Sequence, residues 1–219
     1  MKLNEAYSKK DWNNYARLFA SITTTNQLSV YKEACHYLSG DVIDCGCGSA
    51  KIAPMLLDRE DISSYTGVDY SQEMIRVAQH ILNELNDKRF SIHNSKIEDY
   101  TGKLFDSAVS IQSYYSWPDP ILVLSKIYSL LKKNGRFILA TVNSKLPFDA
   151  LAKDAWLELL MHPDFEAYKA YNLKLATNDN ANFISLDGLV KQLAEVGFQL
   201  ELAHQQHFRG GLNFLVLQK

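Results

Sequence analysis

The stretch Val42-Ile43-Asp44-Cys45-Gly46-Cys47-Gly48-Ser49-Ala50-Lys51 decides the fold, because a buried strand runs straight into a turn with two glycines and then into a segment that reads as a helix from Ser49 to Asp58. Gly46 and Gly48 permit backbone conformations and a close ligand approach that a side chain would obstruct. Such a turn at the carboxyl end of a first strand is where open α/β sheets bind ligands. Asp44 stands at the strand tip, two residues before Gly46, where its carboxylate repels a pyrophosphate and favours a cationic group. The dinucleotide fingerprint also requires a third glycine where this chain has Lys51. The ligand expected here is therefore not a nicotinamide dinucleotide.

Outward from this turn, short apolar runs alternate with helical patterns. Residues 64–69 (SYTGVD) read as a second strand ending in Asp69, and a helix follows from Ser71 to Leu85. Ser71 is placed to cap that helix and Glu73 lies in its first turn, while Met74, Ala78, Ile81, Leu82 and Leu85 form one face. Residues 89–94 (RFSIHN), 105–112 (FDSAVSIQ) and 135–142 (GRFILATV) read as further strands. Between the last two, Ile121, Leu124, Ile127, Tyr128 and Leu131 form a helical stripe, stopped by Lys132, Lys133 and Gly135. The alternation predicts a mainly parallel, Rossmann-like α/β sheet. A helix with Leu186, Leu189, Val190 and Leu193 precedes Val196-Gly197-Phe198. Two closing β runs, 198–208 and 212–219, flank Arg209-Gly210-Gly211 and predict an antiparallel hairpin.

Two segments stand outside this pattern. Residues 1–39 read as amino-terminal helices, with Leu3, Tyr7, Tyr15, Leu18 and Phe19 in the first region and Leu28, Tyr31, Cys35 and Leu38 in the second. Residues 144–184 read as a helical cap insertion, with stripes at Phe148, Leu151, Ala155 and Leu159 and at Phe165, Tyr168 and Tyr171. No repeat or linker divides the 219 residues, so one domain spanning 1–219 is expected.

Composition narrows the function. Lys and Arg total 23 against 25 Asp and Glu, a formal charge of −2, with no basic run to track a phosphate backbone, so nucleic acid is not expected as a partner. No apolar run approaches the ~20 residues of a membrane helix, and no signal-peptide pattern opens the chain. A cytoplasmic protein without membrane contact is expected. Cys35, Cys45 and Cys47 do not suit a disulfide framework, and Cys45-x-Cys47 lacks the second ligand pair of a zinc site. His204 and His207 fall on a predicted strand, where a spacing of three puts them on opposite faces.

The motifs Asp44 to Ala50, Gly67-Val68-Asp69-Tyr70-Ser71 with Met74, Asn94 to Glu98, Phe105 to Ser110, Trp117-Pro118-Asp119-Pro120 and Leu131 to Arg136, in this order, resemble class I S-adenosylmethionine-dependent methyltransferases over roughly residues 40–143. Ala50 stands where the family has its third glycine. The resemblance implies a seven-stranded sheet, S-adenosylmethionine as cofactor and S-adenosylhomocysteine as product. By it the turn Asp44, Cys45, Gly46, Cys47 and Gly48 holds the methionine part, Asp69 the ribose, and Tyr70 and Met74 lie beside the nucleoside. Ile97 with Ser95 or Lys96 meets the adenine edge, Gln112 and Ser113 lie below the sulfonium, and Tyr15 and Trp12 belong to a lid. The family often has an Asp near Ser95, whose role here passes to Glu98 or a backbone carbonyl.

Methyl transfer from a sulfonium needs alignment and exclusion of water more than a nucleophilic triad. Should the acceptor have to lose a proton, His162 and Tyr114 or Tyr115 are the candidate bases. The apolar, aromatic insertion points to a small-molecule acceptor that receives the methyl on oxygen or nitrogen. A protein or peptide acceptor and a catalytically silent cofactor-binding domain are the alternatives. Neither the acceptor's identity nor an oligomeric state follows from the sequence.

Overall fold

A computed structural model describes residues 7–219; Leu3 of the first predicted helix lies outside them. Five of the helices begin at a residue whose side chain caps them. Ser8 and Asp11 form a reciprocal capping box at the start of α1 (Lys9–Ser21), and Thr24 with Gln27 does the same for α2 (Thr25–Cys35). The Ser71 hydroxyl accepts from the Met74 amide and opens α3 (Gln72–Leu85), whose Met74, Ala78 and Leu82 are buried as the spacing predicts. Asp119 caps α4 (Pro120–Leu130), with Pro120 at the first helical position, where its missing N–H costs nothing. Ser185 caps α7 (Leu186–Val196), which ends on Gly197 in the left-handed region.

The strands are β1 (Gly40–Cys45), β2 (Ile62–Asp69), β3 (Phe90–Asn94), β4 (Phe105–Ile111), β5 (Leu131–Val142), β6 (Gln199–His204) and β7 (Leu212–Gln218). They form one seven-stranded sheet in the order β3-β2-β1-β4-β5-β7-β6. Strands β1 to β5 pair in parallel, and β7 inserts antiparallel between β5 and β6, which is the predicted closing hairpin.

Alternation along the strands divides the core in two. On one face Val42, Tyr65, Val109, Ile138 and Phe214 pack against α2 and α3. On the other, Ile43, Cys45, Val68, Phe137 and Leu215 pack against α4 and α7. Double-sided burial explains why these strands read as continuous apolar runs. A third cluster joins Tyr15, Ala16 and Ile22 to Met74 and to Tyr168 of α6 (Phe165–Ala176), which follows α5 (Phe148–Leu159) in the insertion.

Two expectations are corrected. The helix from Ser49 to Asp58 is a run of turns with a single 3-10 turn at Ala53–Leu56. Ala50 sits at φ +57, outside the helical region, and Pro54 has no N–H to donate, so an α-helix cannot begin at the predicted place. The first closing β run stops at His204, and residues 205–211 form a loop with a 3-10 turn at Phe208–Gly210. His207 is thus off the strand, and the argument that placed it opposite His204 fails.

Candidate active site

A large cavity opens at the carboxyl ends of β1, β2 and β4, bounded by α1 and α2 on one side and by α5 and α6 on the other. The glycine turn forms its floor. A Cβ on Gly46 (φ +78) would lie 2.5 Å from the Ser113 side chain, so the turn and the end of β4 can meet only without a side chain there. Ser113 locks this contact by donating to the Cys45 carbonyl at 3.1 Å and pairing with Ser110 at 2.7 Å.

Three carboxylates line the cavity, Glu98 after β3 and, at the glycine turn, Asp44 and Asp69. Asp44 is 5% exposed and accepts from the Tyr65 hydroxyl at 2.8 Å; burial pushes its carboxyl up to about 7. Asp69 accepts from the Gly48 and Ser71 amides at 2.9 and 2.8 Å, and burial pushes it up to about 6 despite both bonds. No lysine, arginine or histidine among the described residues pairs with either. Two sheltered carboxyls without a basic partner in one cavity, both reluctant to ionise alone, favour a ligand that brings positive charge and hydroxyl donors.

Other features mark the same place. Gln112, just past β4, takes φ +56, an uncommon conformation for a residue with a side chain. Its Nε2 and the Trp12 Nε1 are buried without a hydrogen-bond partner among the described residues, and both side chains line the cavity. Buried orphan donors of this kind are costly and suit a site completed by a ligand.

Tyr15, Asp44, Gly46, Cys47, Gly48, Asp69, Tyr70 and Met74 line the cavity, as do Ser95, Lys96, Ile97, Gln112 and Ser113. The structure therefore brings thirteen sequence-derived positions together from six separate segments. Tyr15 stacks on Tyr171 at 4.2 Å, and the Tyr70 hydroxyl donates to the Tyr7 carbonyl at 3.2 Å, so α1 and α6 close over this end.

Three sequence-derived positions do not reach it. Cys45 alternates away from Asp44 and is fully buried in the α4 and α7 face of the core. Tyr114 is also core: it donates to Gln192 of α7 at 2.6 Å and packs on Trp117, and burial pushes its phenol up to about 12. His162 lies in the turn between α5 and α6, accepting from the Asp164 amide at 3.2 Å, away from the cavity lining. Tyr115 does line the cavity, but burial raises its phenol far above neutrality.

Sequence reasoning missed Lys51 as a site residue. Its ammonium lies over the Phe19 ring at 4.0 Å and donates to the Ile22 carbonyl at 2.5 Å, with no carboxylate beside it. Burial lowers it to about 7. The signal was its place directly after the glycine turn. Tyr31, Phe183 and Phe208 were missed too, since nothing local connects these distant segments to β1.

A profile of the methyltransferase-domain family matches residues 14–203. The chain belongs to that family. It is an S-adenosylmethionine-dependent methyltransferase, and the unpaired Asp44 and Asp69 fit a cofactor that carries a sulfonium, an ammonium and two ribose hydroxyls. Its relatives include malonyl-[acyl-carrier protein] O-methyltransferase 1 of Ilyobacter polytropus, 21% identical over 85% of this chain and 69% of that protein. The demethylmenaquinone methyltransferase of Thermotoga maritima is 23% identical over 73% of this chain and 70% of its own length. Among solved structures, mycolic acid cyclopropane synthase CmaA1 complexed with S-adenosylhomocysteine has a TM-score of 0.65 at 15% identity, covering 88% of this chain and 84% of that one.

Proposed function

We propose that this methyltransferase transfers the methyl group of S-adenosylmethionine to an oxygen or nitrogen atom of a small, largely apolar acceptor held beneath α5 and α6. The observation that carries this reading is the continuity of the cavity. The carboxylates of the glycine-turn end share one space with Phe148, Leu151, Phe165, Tyr168 and Phe183 of the insertion and the segment after it. A capped, aromatic pocket suits a compact molecule better than an extended peptide. The two named relatives act on different acceptors, so kinship leaves the choice to the pocket.

In this reading Asp44 receives the cofactor's ammonium and Asp69 its ribose hydroxyls. Lys51 pairs with its carboxylate. Ser95, Lys96 and Ile97 border the adenine, and Tyr70 and Met74 the nucleoside. The residues 7–39 form a lid and 144–184 a cap that together exclude water. When bound there, the cofactor would supply an electrophilic methyl to the acceptor that these residues hold beside it. Gln112 aims its unpaired amide toward the reacting end and orients the acceptor. Among the described residues no histidine lines the cavity, burial raises the phenols of Tyr15, Tyr31, Tyr115 and Tyr168, and this reading commits Asp44, Asp69 and Lys51 to the cofactor, so the acceptor presents an already basic nitrogen or an ionised oxygen.

The test is production of S-adenosylhomocysteine with panels of amines, phenols, carboxylic acids and peptides. Turnover with a small amine, phenol or acid supports the proposal. Turnover confined to peptides, or cofactor binding without turnover on any panel or on a metabolite extract, overturns it.

A further inference from the structure

Away from the cavity, Glu33 of α2 faces the end of β6 and the loop after it. Both imidazoles of that segment aim at its carboxylate: His204 Nε2 lies 2.8 Å from Oε1 and His207 Nε2 2.5 Å from Oε2. One ligand atom from each of the three residues lies within 4.8 Å of the others. The side chains are 27%, 13% and 12% exposed, so the group is sheltered yet reachable from solvent.

The surroundings orient the rings. His204 stacks on Phe214 at 5.0 Å with 14° between planes. The Ser29 hydroxyl donates to the Asn26 carbonyl at 2.8 Å, so at 3.1 Å it can only accept from His207 Nδ1. That proton fixes His207 Nδ1 as a donor and leaves Nε2 as the nitrogen turned to Glu33. A metal-binding histidine is held this way, with the second nitrogen donating to an outer partner.

We propose that Glu33, His204 and His207 form a binding site for a divalent transition cation of zinc type. Two imidazole nitrogens and one carboxylate oxygen are a ligand set zinc accepts, with water in the fourth position. Coordination replaces the protons that the Nε2 atoms direct at Glu33, and at least one is released to solvent. His204 then carries its proton on Nδ1, which ends a single 3.3 Å contact from the Gln206 amide.

The ion would pin α2 to the closing hairpin. Gln27 and Tyr31 of α2 line the cavity, as does Phe208 next to His207, so the ion fastens one cavity wall without touching the cofactor. The site is independent of the acceptor proposed above.

The test uses the full chain without an affinity tag, stripped with a chelator and titrated with Zn²⁺ by calorimetry and with Co²⁺ by absorption. One equivalent of zinc with release of a proton is expected, and visible cobalt bands without a thiolate charge-transfer band. His207→Gln and His204→Gln should each weaken zinc at least tenfold, and zinc should raise the melting temperature of the unsubstituted chain only. Absence of saturable binding overturns the site, as does a thiolate band, which would move the ion to the cysteines, or unchanged affinity in both variants. If either variant misfolds by circular dichroism, Glu33→Gln and the cobalt spectrum of the unsubstituted chain decide.

Discussion

At the scale of single residues the cavity is an electrostatic problem awaiting a ligand. Asp44 holds its proton up to about pH 7 and Asp69 up to about 6, against 3.8 for a free carboxyl. A raised carboxyl binds its proton more tightly folded than unfolded, so the ligand-free fold is favoured most below pH 3.8 and loses this contribution as pH rises to about 7. A cationic cofactor reverses the preference by stabilising both carboxylates. Binding of S-adenosylmethionine at pH 6 should therefore release a proton, measurable as a calorimetric enthalpy that varies with the buffer's ionisation enthalpy. Asp44→Asn should remove most of the release; an unchanged value would take Asp44 out of the ammonium site. Asp69→Ala strips the acceptors that the proposed reading assigns to the ribose and should weaken the cofactor by ~1–3 kcal/mol, the cost of leaving polar groups unpaired. Equal affinity in this variant would remove Asp69 from the site. Lys51→Met should cost S-adenosylhomocysteine about tenfold, the equivalent of one modest charge-assisted hydrogen bond. Methylthioadenosine, which has no carboxylate, should bind the variant as it binds the parent. A parallel loss for both ligands would mean that Lys51 supports the wall and not the carboxylate.

At the scale of elements, the helices divide by how they are fastened. α3 has a side-chain cap and three buried apolar residues, and Asn13 of α1 adds an acceptor for Ser71 at 2.8 Å. α5 has no side-chain cap and no buried residue, and Trp156, Leu157 and Leu160 at its solvent side are 45%, 62% and 55% exposed. Local opening is governed by such differences. Amides of α5 should exchange with deuterium well before those of α3 and α4, and a saturating cofactor should slow α1 and α6 more than α4; equal protection in α5 and α3 would contradict the loose fastening of α5. The same division explains what the sequence made legible. The strands, α3 and the hairpin were readable because each carries a periodic stripe, a cap or a glycine signal. The failed helix after Ser49 was hidden because Ala50 reads as a helix former while the turn forces it to positive φ. Tyr114 and Tyr115 are adjacent and look equivalent, yet only the fold decides that one enters the core and the other the cavity. His204 was placed on its strand, but His207 was misplaced because no residue in the run marks where β6 ends. Most of the thirteen cavity-lining positions were legible because they lie at strand ends, with Tyr15 and Met74 on helices, whereas Lys51, Tyr31 and Phe208 belong to the cavity only through packing between distant segments.

At the scale of the whole molecule, the cavity is where otherwise separate parts meet. The Tyr7 hydroxyl donates to the Tyr171 carbonyl at 3.3 Å, the Tyr171 hydroxyl donates to the Asp11 carbonyl, and Asn172 donates to the Tyr15 hydroxyl at 3.1 Å. Glu158 of α5 accepts from the Thr25 amide at 2.7 Å, and Arg209 of the hairpin loop pairs with Asp154 of α5 at 2.6 Å. The Thr25–Glu158 and Arg209–Asp154 links are exposed and contribute little individually, while the three among Tyr7, Asp11, Tyr15, Tyr171 and Asn172 are half-buried. A ligand that touches the glycine turn, α1 and the end of β4 at once adds what they do not, since it binds the assembled fold and not the unfolded chain. At one hundred times its dissociation constant, S-adenosylhomocysteine should add ~2.7 kcal/mol to stability. For a chain of this size that corresponds to a rise in melting temperature of roughly 5–10 °C. Asp69→Ala should need a higher ligand concentration for the same rise, while a variant far from the cavity, such as Arg76→Ala on the exposed side of α3, should follow the parent. A melting temperature that ignores the ligand at saturation would mean that the amino-terminal helices, the sheet and the cap are not joined through the cofactor. The lid and cap would then have to close on the acceptor alone.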